Sequence, residues 1–274
     1  MRFLMKALLA AALSVGFVTA ASAQCTPAHH IQTVKPGVLT VAVLAYPPFD
    51  NIESDGTYTG TDAAILKTFA EKECLKLEGI SVDSSAAIQY IVTGRADISA
   101  SAWYRTAERA KVVGISDPVY NDTVAIFSRE GYKSFNQLAG KTVGTVQGYL
   151  WVSDLQKVFG PNLKLYPNAV ALVQDLKAGR IDSGVNGYVQ GSIAQKKGEL
   201  ADIKVVQADP DNRIRSSVHP AQCGFLYTKD NTALGSSLNT IIHDLQSTEK
   251  MSKILQDHGI DPVVGKVGAP QYVQ

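Results

Sequence analysis

Nothing in this sequence leans to one sign of charge: 26 Lys and Arg stand against 25 Asp and Glu, and no basic cluster breaks the balance. A nucleic-acid partner is therefore not expected, because it would call for a concentrated positive footprint. Cysteine is scarce, with three in 274 residues, and none has the paired spacing of a zinc site. No metal or cofactor is expected. Long apolar runs are also missing beyond the N-terminus, where no segment approaches the roughly 18 to 20 uninterrupted residues of a membrane helix.

The N-terminus itself carries a different pattern. Arg2 and Lys6 precede the apolar run from Ala7 to Ala20, and Ala21-Ser22-Ala23 places small residues where a signal peptidase reads. This predicts a secretory signal over residues 1–23 and an exported, periplasmic mature chain. A lipid anchor on Cys25 is not expected, since Gln24 replaces the small residue that such processing needs. In an oxidising compartment three cysteines suggest one disulfide and one leftover thiol. Cys25 lies shortly before the first expected strand, and Cys74 ends the helix that returns antiparallel to it, so a Cys25–Cys74 bond is predicted with Cys223 free.

About 250 mature residues fit two modest units on the prior of roughly 100 to 200 residues each. Strand and helix signals alternate, which favours an α/β class with largely parallel sheets. Val38 to Leu44 reads as a strand covered on both faces, ended by Tyr46-Pro47-Pro48-Phe49. Asp62 is the expected cap of a helix carrying Ile65, Leu66 and Phe69. Ser84 or Ser85 caps the next, and Asn168 another bearing Leu172, Val173 and Leu176. Further strands are expected at Lys141–Val146, Ile203–Ala208 and Cys223–Thr228.

One echo organises the chain. Gly94-Arg95-Ala96-Asp97 and Gly179-Arg180-Ile181-Asp182 each follow an amphipathic helix and precede a strand-like segment. Two related lobes account for it, with glycine ending each helix and the charged pair tying each turn. Two last helices, from Thr232 and from Thr248, have no sheet of their own and are assigned to the first lobe. The expected division is residues 24–124 with 222–274 for one lobe and 125–221 for the other, with two crossovers forming a hinge and the ligand between lobes.

Several segments together resemble a known family: Gly37-Val38-Leu39-Thr40-Val41 leading to Tyr46-Pro47-Pro48-Phe49, then Gly60-Thr61-Asp62, then Gly94-Arg95-Ala96-Asp97. Above all, Thr106-Ala107-Glu108-Arg109 is followed by Ser116-Asp117-Pro118-Val119-Tyr120. The chain resembles the bacterial extracellular solute-binding proteins of family 3, the polar amino-acid uptake type, from about Gly37 to Gly259. The resemblance implies a two-lobed periplasmic binding protein fold that closes on its ligand. It also implies a monomer that serves the membrane permease of an ABC importer by delivering an amino-acid-like small carboxylate.

A guanidinium matches a carboxylate with two parallel hydrogen bonds, which is why Arg109 is the first expected ligand contact. The resemblance assigns Thr106 supporting contacts and places Tyr46 as an aromatic stacking on the ligand. Trp103 and Tyr104 lie beside them, Tyr104 where the family commonly carries a small hydroxyl residue. In the second lobe Gly148 leads into a helix N-terminus suited to anions, while Tyr149 replaces a usual Thr or Ser. Asn186 stands near the position of the family's ammonium-accepting aspartate, and no carboxylate follows Asp182 there. An aromatic cage for a cation and a flat apolar slot for an uncharged acid both stay open, as does a core role for Tyr46, Trp103, Tyr104, Tyr149 and Tyr188.

The first rival is a dehydratase-like enzyme on the same fold acting on a small carboxylic acid. It would need a positioned acid or base, and the expected cleft holds none beyond the structural Asp97 and Asp182. A ligand-sensing module shares the binding logic, and fusion to membrane or signalling segments would be its sign.

Overall fold

The structure is a computed structural model that describes residues 25–200 and 202–273; the expected secretory segment lies outside the described residues. The chain opens with β1 (Val38–Val43), the short pair β2 (Asn51–Ile52) and β3 (Tyr58–Thr59), helix α1 (Thr61–Lys72), β4 (Lys76–Ser81), α2 (Ser84–Val92) and β5 (Ile98–Tyr104). Helix α3 (Ala107–Val112), β6 (Gly114–Ile115) and β7 (Tyr120–Asp122) follow. The second lobe holds β8 (Val124–Ser128), β9 (Val143–Val146), α4 (Val152–Phe159), β10 (Leu163–Tyr166), α5 (Ala169–Lys177), β11 (Ser183–Gly187), α6 (Tyr188–Lys196) and β12 (Lys204–Gln207). Strand β13 (Ala221–Tyr227) and helices α7 (Thr232–Ser247) and α8 (Lys250–Asp257) complete it.

Each lobe has its own sheet. The first runs β4-β1-β5-β13-β6 with β7 also beside β13, and the second runs β10-β9-β11-β8-β12. Within them β4-β1-β5 and β10-β9-β11 are parallel triplets joined by helices, which is one strand-helix arrangement used twice. The sheets are less parallel than the sequence suggests. β13 is antiparallel to β5, and β8 is antiparallel to both β11 and β12. The reason is connectivity: β8 follows β7 with no crossover helix between them, so it enters the second sheet against the triplet.

The echoed turns are built alike. Asp97 donates its N–H to Thr40 O and accepts the Thr40 N–H at 2.8 Å; Asp182 donates to Thr142 O and accepts the Thr142 N–H at 2.7 Å. Each aspartate thereby fastens the end of its turn to the neighbouring strand. The arginines do not join in, contrary to the expected charged pair. Arg180 bonds Asp175 at 2.7 Å, and Arg95 lies over the Tyr90 ring.

Three caps also differ from expectation. Gly60 caps α1, while Asp62 turns to the sheet and accepts the Ser101 N–H at 2.9 Å and the Tyr120 hydroxyl at 2.8 Å. Asp83 precedes α2, because the Ser84 hydroxyl is committed to the Gln147 carbonyl of the other lobe. Thr248 ends α7 by bonding back to Asp244, and α8 starts only at Lys250. Asn168 caps α5 as expected, accepting the Ala171 N–H at 2.9 Å.

Helices α7 and α8 pack against α1, and Lys72 reaches Asp244 at 3.0 Å. Cys25 and Cys74 form a disulfide with Cα atoms 5.8 Å apart, and Cys223 is free and buried. The two passages between sheets run side by side: β7 pairs antiparallel with β13, Asp122 opposite Ala221 and Tyr120 opposite Cys223.

Candidate functional site

The parallel triplets aim their C-terminal ends at one cleft, where open α/β sheets place ligands. Tyr46 follows β1, Tyr104 ends β5, Gly148 follows β9 and Asn186 lies at the end of β11. Leu44, Tyr46, Tyr104 and Arg109 from one lobe and Tyr149 and Trp151 from the other line a cavity of about 30 Å³. That is the room of roughly one water molecule. A solute of amino-acid size enters only when the lobes part or the rings move.

Aromatic side chains close the cleft. Tyr46 meets Tyr149 at 6.2 Å between ring centres, Tyr149 meets Trp151 at 5.2 Å, and Trp151 meets Tyr104 at 5.6 Å, all edge to face. This is the preferred geometry for ring pairs, and here it joins one lobe to the other twice. The Trp151 indole N–H donates to Thr145 Oγ1 at 2.8 Å, which fixes the ring from behind.

The floor is strained where it meets the cavity. Ser101 and Ala102 adopt φ of 99° and 52° in the middle of β5, a region that costs non-glycine residues on the order of 1 to 3 kcal/mol. Asp62 holds this kink through the Ser101 N–H, and the Ser101 hydroxyl accepts the Leu44 N–H at 3.1 Å. Beside Asp62, burial drives the fully enclosed Asp50 carboxyl well above the usual range, and the neighbouring Asp62 carboxylate pushes it the same way.

Arg109 spans the cleft. Its guanidinium donates to Tyr104 O at 2.7 Å and to Gly148 O at 3.4 Å, and it stacks 4.7 Å from the Trp103 ring centre. The neighbouring Glu108 pairs with Lys111 instead, at 2.6 Å. No carboxylate among the described residues forms an ion pair with Arg109. Loss of water lowers its pKa to about 10, which leaves it charged at neutral pH.

A second polar group lies at the hinge. The Tyr46 hydroxyl donates to Asn186 Oδ1 at 3.4 Å across the lobes; Asn186 Oδ1 also accepts the Gly187 N–H, and Nδ2 donates to Gln190. Asp122 Oδ1 accepts the N–H groups of Thr123 at 2.8 Å and Val189 at 3.0 Å. Its other oxygen has no partner, nor has the Tyr104 hydroxyl. Burial raises the Asp122 pKa to about 6. This carboxylate was not among the residues expected in the cleft.

The profile of the bacterial extracellular solute-binding proteins, family 3, matches residues 39–260. The chain belongs to that family. Among family 3 relatives, the lysine/arginine/ornithine-binding periplasmic protein of Escherichia coli strain K12 is 26% identical over 193 residues, 68% of this chain and 72% of the other. The ABC transporter arginine-binding protein 1 of the same organism is 30% identical over 189 residues, 67% of this chain and 71% of its own length. An ancestral arginine-binding protein bound to glutamine superposes with a TM-score of 0.72 at 27% identity, covering 81% of this chain and 98% of that one.

Against this family 3 frame, Tyr46, Trp103, Tyr104, Arg109 and Tyr149 all line the cavity, and Gly148 contributes its carbonyl to Arg109. Thr106 does not line it. Its hydroxyl caps α3 by accepting the Arg109 N–H at 3.1 Å, so it orients the arginine from behind. Tyr188, considered with the other aromatics, is exposed on the outside. Trp151 takes its place, although its position in an apolar helical repeat marks it as core. Asp122 carried a signal of its own, a lone carboxylate two residues before the apolar run Val124–Phe127.

Proposed function

We propose that this chain is the periplasmic substrate-binding component of an ATP-driven importer, which captures an amino-acid-like carboxylate between its lobes and delivers it to a membrane permease. Arg109 carries this reading. A half-buried cation with no counter-charge among the described residues, held by carbonyls of both lobes and backed by an indole, is a site for an anion that arrives from outside. The division into residues 24–124 with 222–274 and 125–221 follows, with the hinge where β7 and β13 lie together. The secretory pattern at residues 1–23, the Cys25–Cys74 bond and the periplasmic relatives all favour an exported protein.

The relatives name lysine, arginine, ornithine and glutamine, so amino acids head the set of candidate solutes. A second reading, dehydration of a small carboxylic acid, draws on Asp122, a buried carboxyl at the hinge with its pKa raised to about 6. Capture stands first because, among the described residues, neither a histidine nor a carboxylate lines the cavity.

Thermal-shift screening of wild type, Arg109→Ala and Arg109→Lys against amino acids and simple carboxylic acids tests both readings. A ligand at 100 times its dissociation constant adds about 2.7 kcal/mol. The shift should vanish in Arg109→Ala and shrink strongly in Arg109→Lys. Equal shifts in all three proteins sink the site, and loss of water from a bound acid would favour the enzyme.

A further inference from the structure

We infer that Asp122 receives the cationic end of the solute, so that one molecule answers Arg109 with its carboxylate and Asp122 with an ammonium. The inference rests on the capture reading and adds the second recognition group to it.

Asp122 is the last residue of β7, at the hinge, and only 2% exposed. One of its oxygens is committed to the backbone of the second lobe, while the other is buried and unpartnered. That free oxygen lies beside Gly187, Tyr46 and Tyr104. A Cβ placed on Gly187 would lie 2.3 Å from Asp122 Oδ2 and also 2.3 Å from the Tyr46 hydroxyl, so the two oxygens converge over the bare glycine. The Tyr104 hydroxyl borders Asp122 as its neighbouring donor, short of full hydrogen-bond geometry.

Such a cluster is rich in acceptors and short of donors. The side-chain hydrogens around it belong to neutral phenols and a thiol, and no Lys, Arg or His among the described residues pairs with the carboxylate. An unmet buried carboxylate is costly, and a buried polar group without a partner calls for an explanation. An ammonium brings three N–H donors and the missing charge.

Asn186, at the place where the resemblance puts the ammonium acceptor, is not available for that role. Its carbonyl already takes the Gly187 N–H and the Tyr46 hydroxyl, and its amide donates to Gln190. The carboxylate has moved from β11 to the hinge strand that lies across from it. Burial leaves this group ready to release a proton when a cation arrives. The titratable groups that face it are Tyr46, Tyr104, Tyr149 and Cys223, all pushed upward by burial and hence neutral at pH 7.

Calorimetry on wild type and Asp122→Asn tests the inference, with the twenty L-amino acids as probes. For the best binder, counterparts with hydrogen in place of each amine are added. Asparagine keeps the oxygen that accepts from Thr123 and Val189, and thermal unfolding checks the fold. Wild type should prefer the amino acid over a deamino counterpart by about 100-fold, the scale of a buried charge pair. Asp122→Asn should lose that preference while still binding the deamino acid, and only wild type should release protons on binding near pH 6. Equal amino-acid binding by the two proteins overturns the role of Asp122 and leaves carboxylate capture standing. So does a wild type indifferent to the amine. Loss of both ligands by folded Asp122→Asn overturns it too, and a wild type that binds neither class overturns this inference and the capture reading together.

Discussion

The Arg109 guanidinium lies 4.7 Å from the Trp103 ring centre and touches carbonyl oxygens of both lobes, yet no carboxylate among the described residues answers it. A charge held this way weakens the ligand-free closed form, because the ring and two carbonyls replace only part of its hydration. Arg109→Met should therefore bind no carboxylate and still melt about 2 to 6 °C higher than wild type, on the scale of 2 to 4 °C per kcal/mol for a chain of this size. Scanning calorimetry without ligand checks it. A lower melting point would mean that Arg109 is a structural support.

Asp122 makes the pH dependence asymmetric. An acid whose pKa rises from about 4 in the unfolded chain to about 6 in the fold binds its proton more tightly when folded. Its contribution is fully present below about pH 4, declines up to about pH 6 and stays lost above, a loss of about 3 kcal/mol. Asp50 and Asp62 act in the same direction, so the comparison is between proteins. Urea unfolding at pH 4.5 and 7.5 should show a smaller difference for Asp122→Asn than for wild type. Equal differences would refute the raised pKa.

Gly187 keeps the hinge cluster compact. A methyl group there lands 2.3 Å from both Asp122 Oδ2 and the Tyr46 hydroxyl, closer than any real contact allows. Gly187→Ala should fold, bind its solute at least about 10-fold more weakly and favour an open form, since overpacking costs on the order of 1 to 3 kcal/mol. Small-angle scattering with saturating ligand would report the larger radius. An unchanged radius and affinity would contradict the packing.

The disulfide closes a loop with a sequence separation of 49 residues. Replacing Cys25 and Cys74 together by serine should cost about 4 kcal/mol by the loop-entropy relation. Cys223, fully buried with its thiol pushed well up, should resist alkylation until the chain unfolds. Mass spectrometry after native labelling gives the answer.

Much of this was legible because it was local. The β1 run, the Asn168 cap, the repeated Gly-Arg-x-Asp turns and the Thr106 to Arg109 motif all lie within short windows. What escaped depended on partners far along the chain. Asp62 reads as a cap until Ser101 and Tyr120 come within reach, and Ser84 reads as one until Gln147 does. Asp122 matters because β7 is brought beside β13 and the start of α6, a pairing that spans about a hundred residues and leaves no mark in periodicity.

Both tryptophans of the chain, Trp103 and Trp151, belong to the cleft, one from each lobe. Trp103 faces a cation of its own lobe and Trp151 one phenol from each lobe, so the environment of the Trp151 indole is set by the opposing lobe as well as its own. Every photon this protein emits under selective indole excitation therefore originates at the cleft between the lobes. Its intrinsic fluorescence is a label-free gauge of opening and closing, and single-tryptophan variants would divide that signal between the two walls.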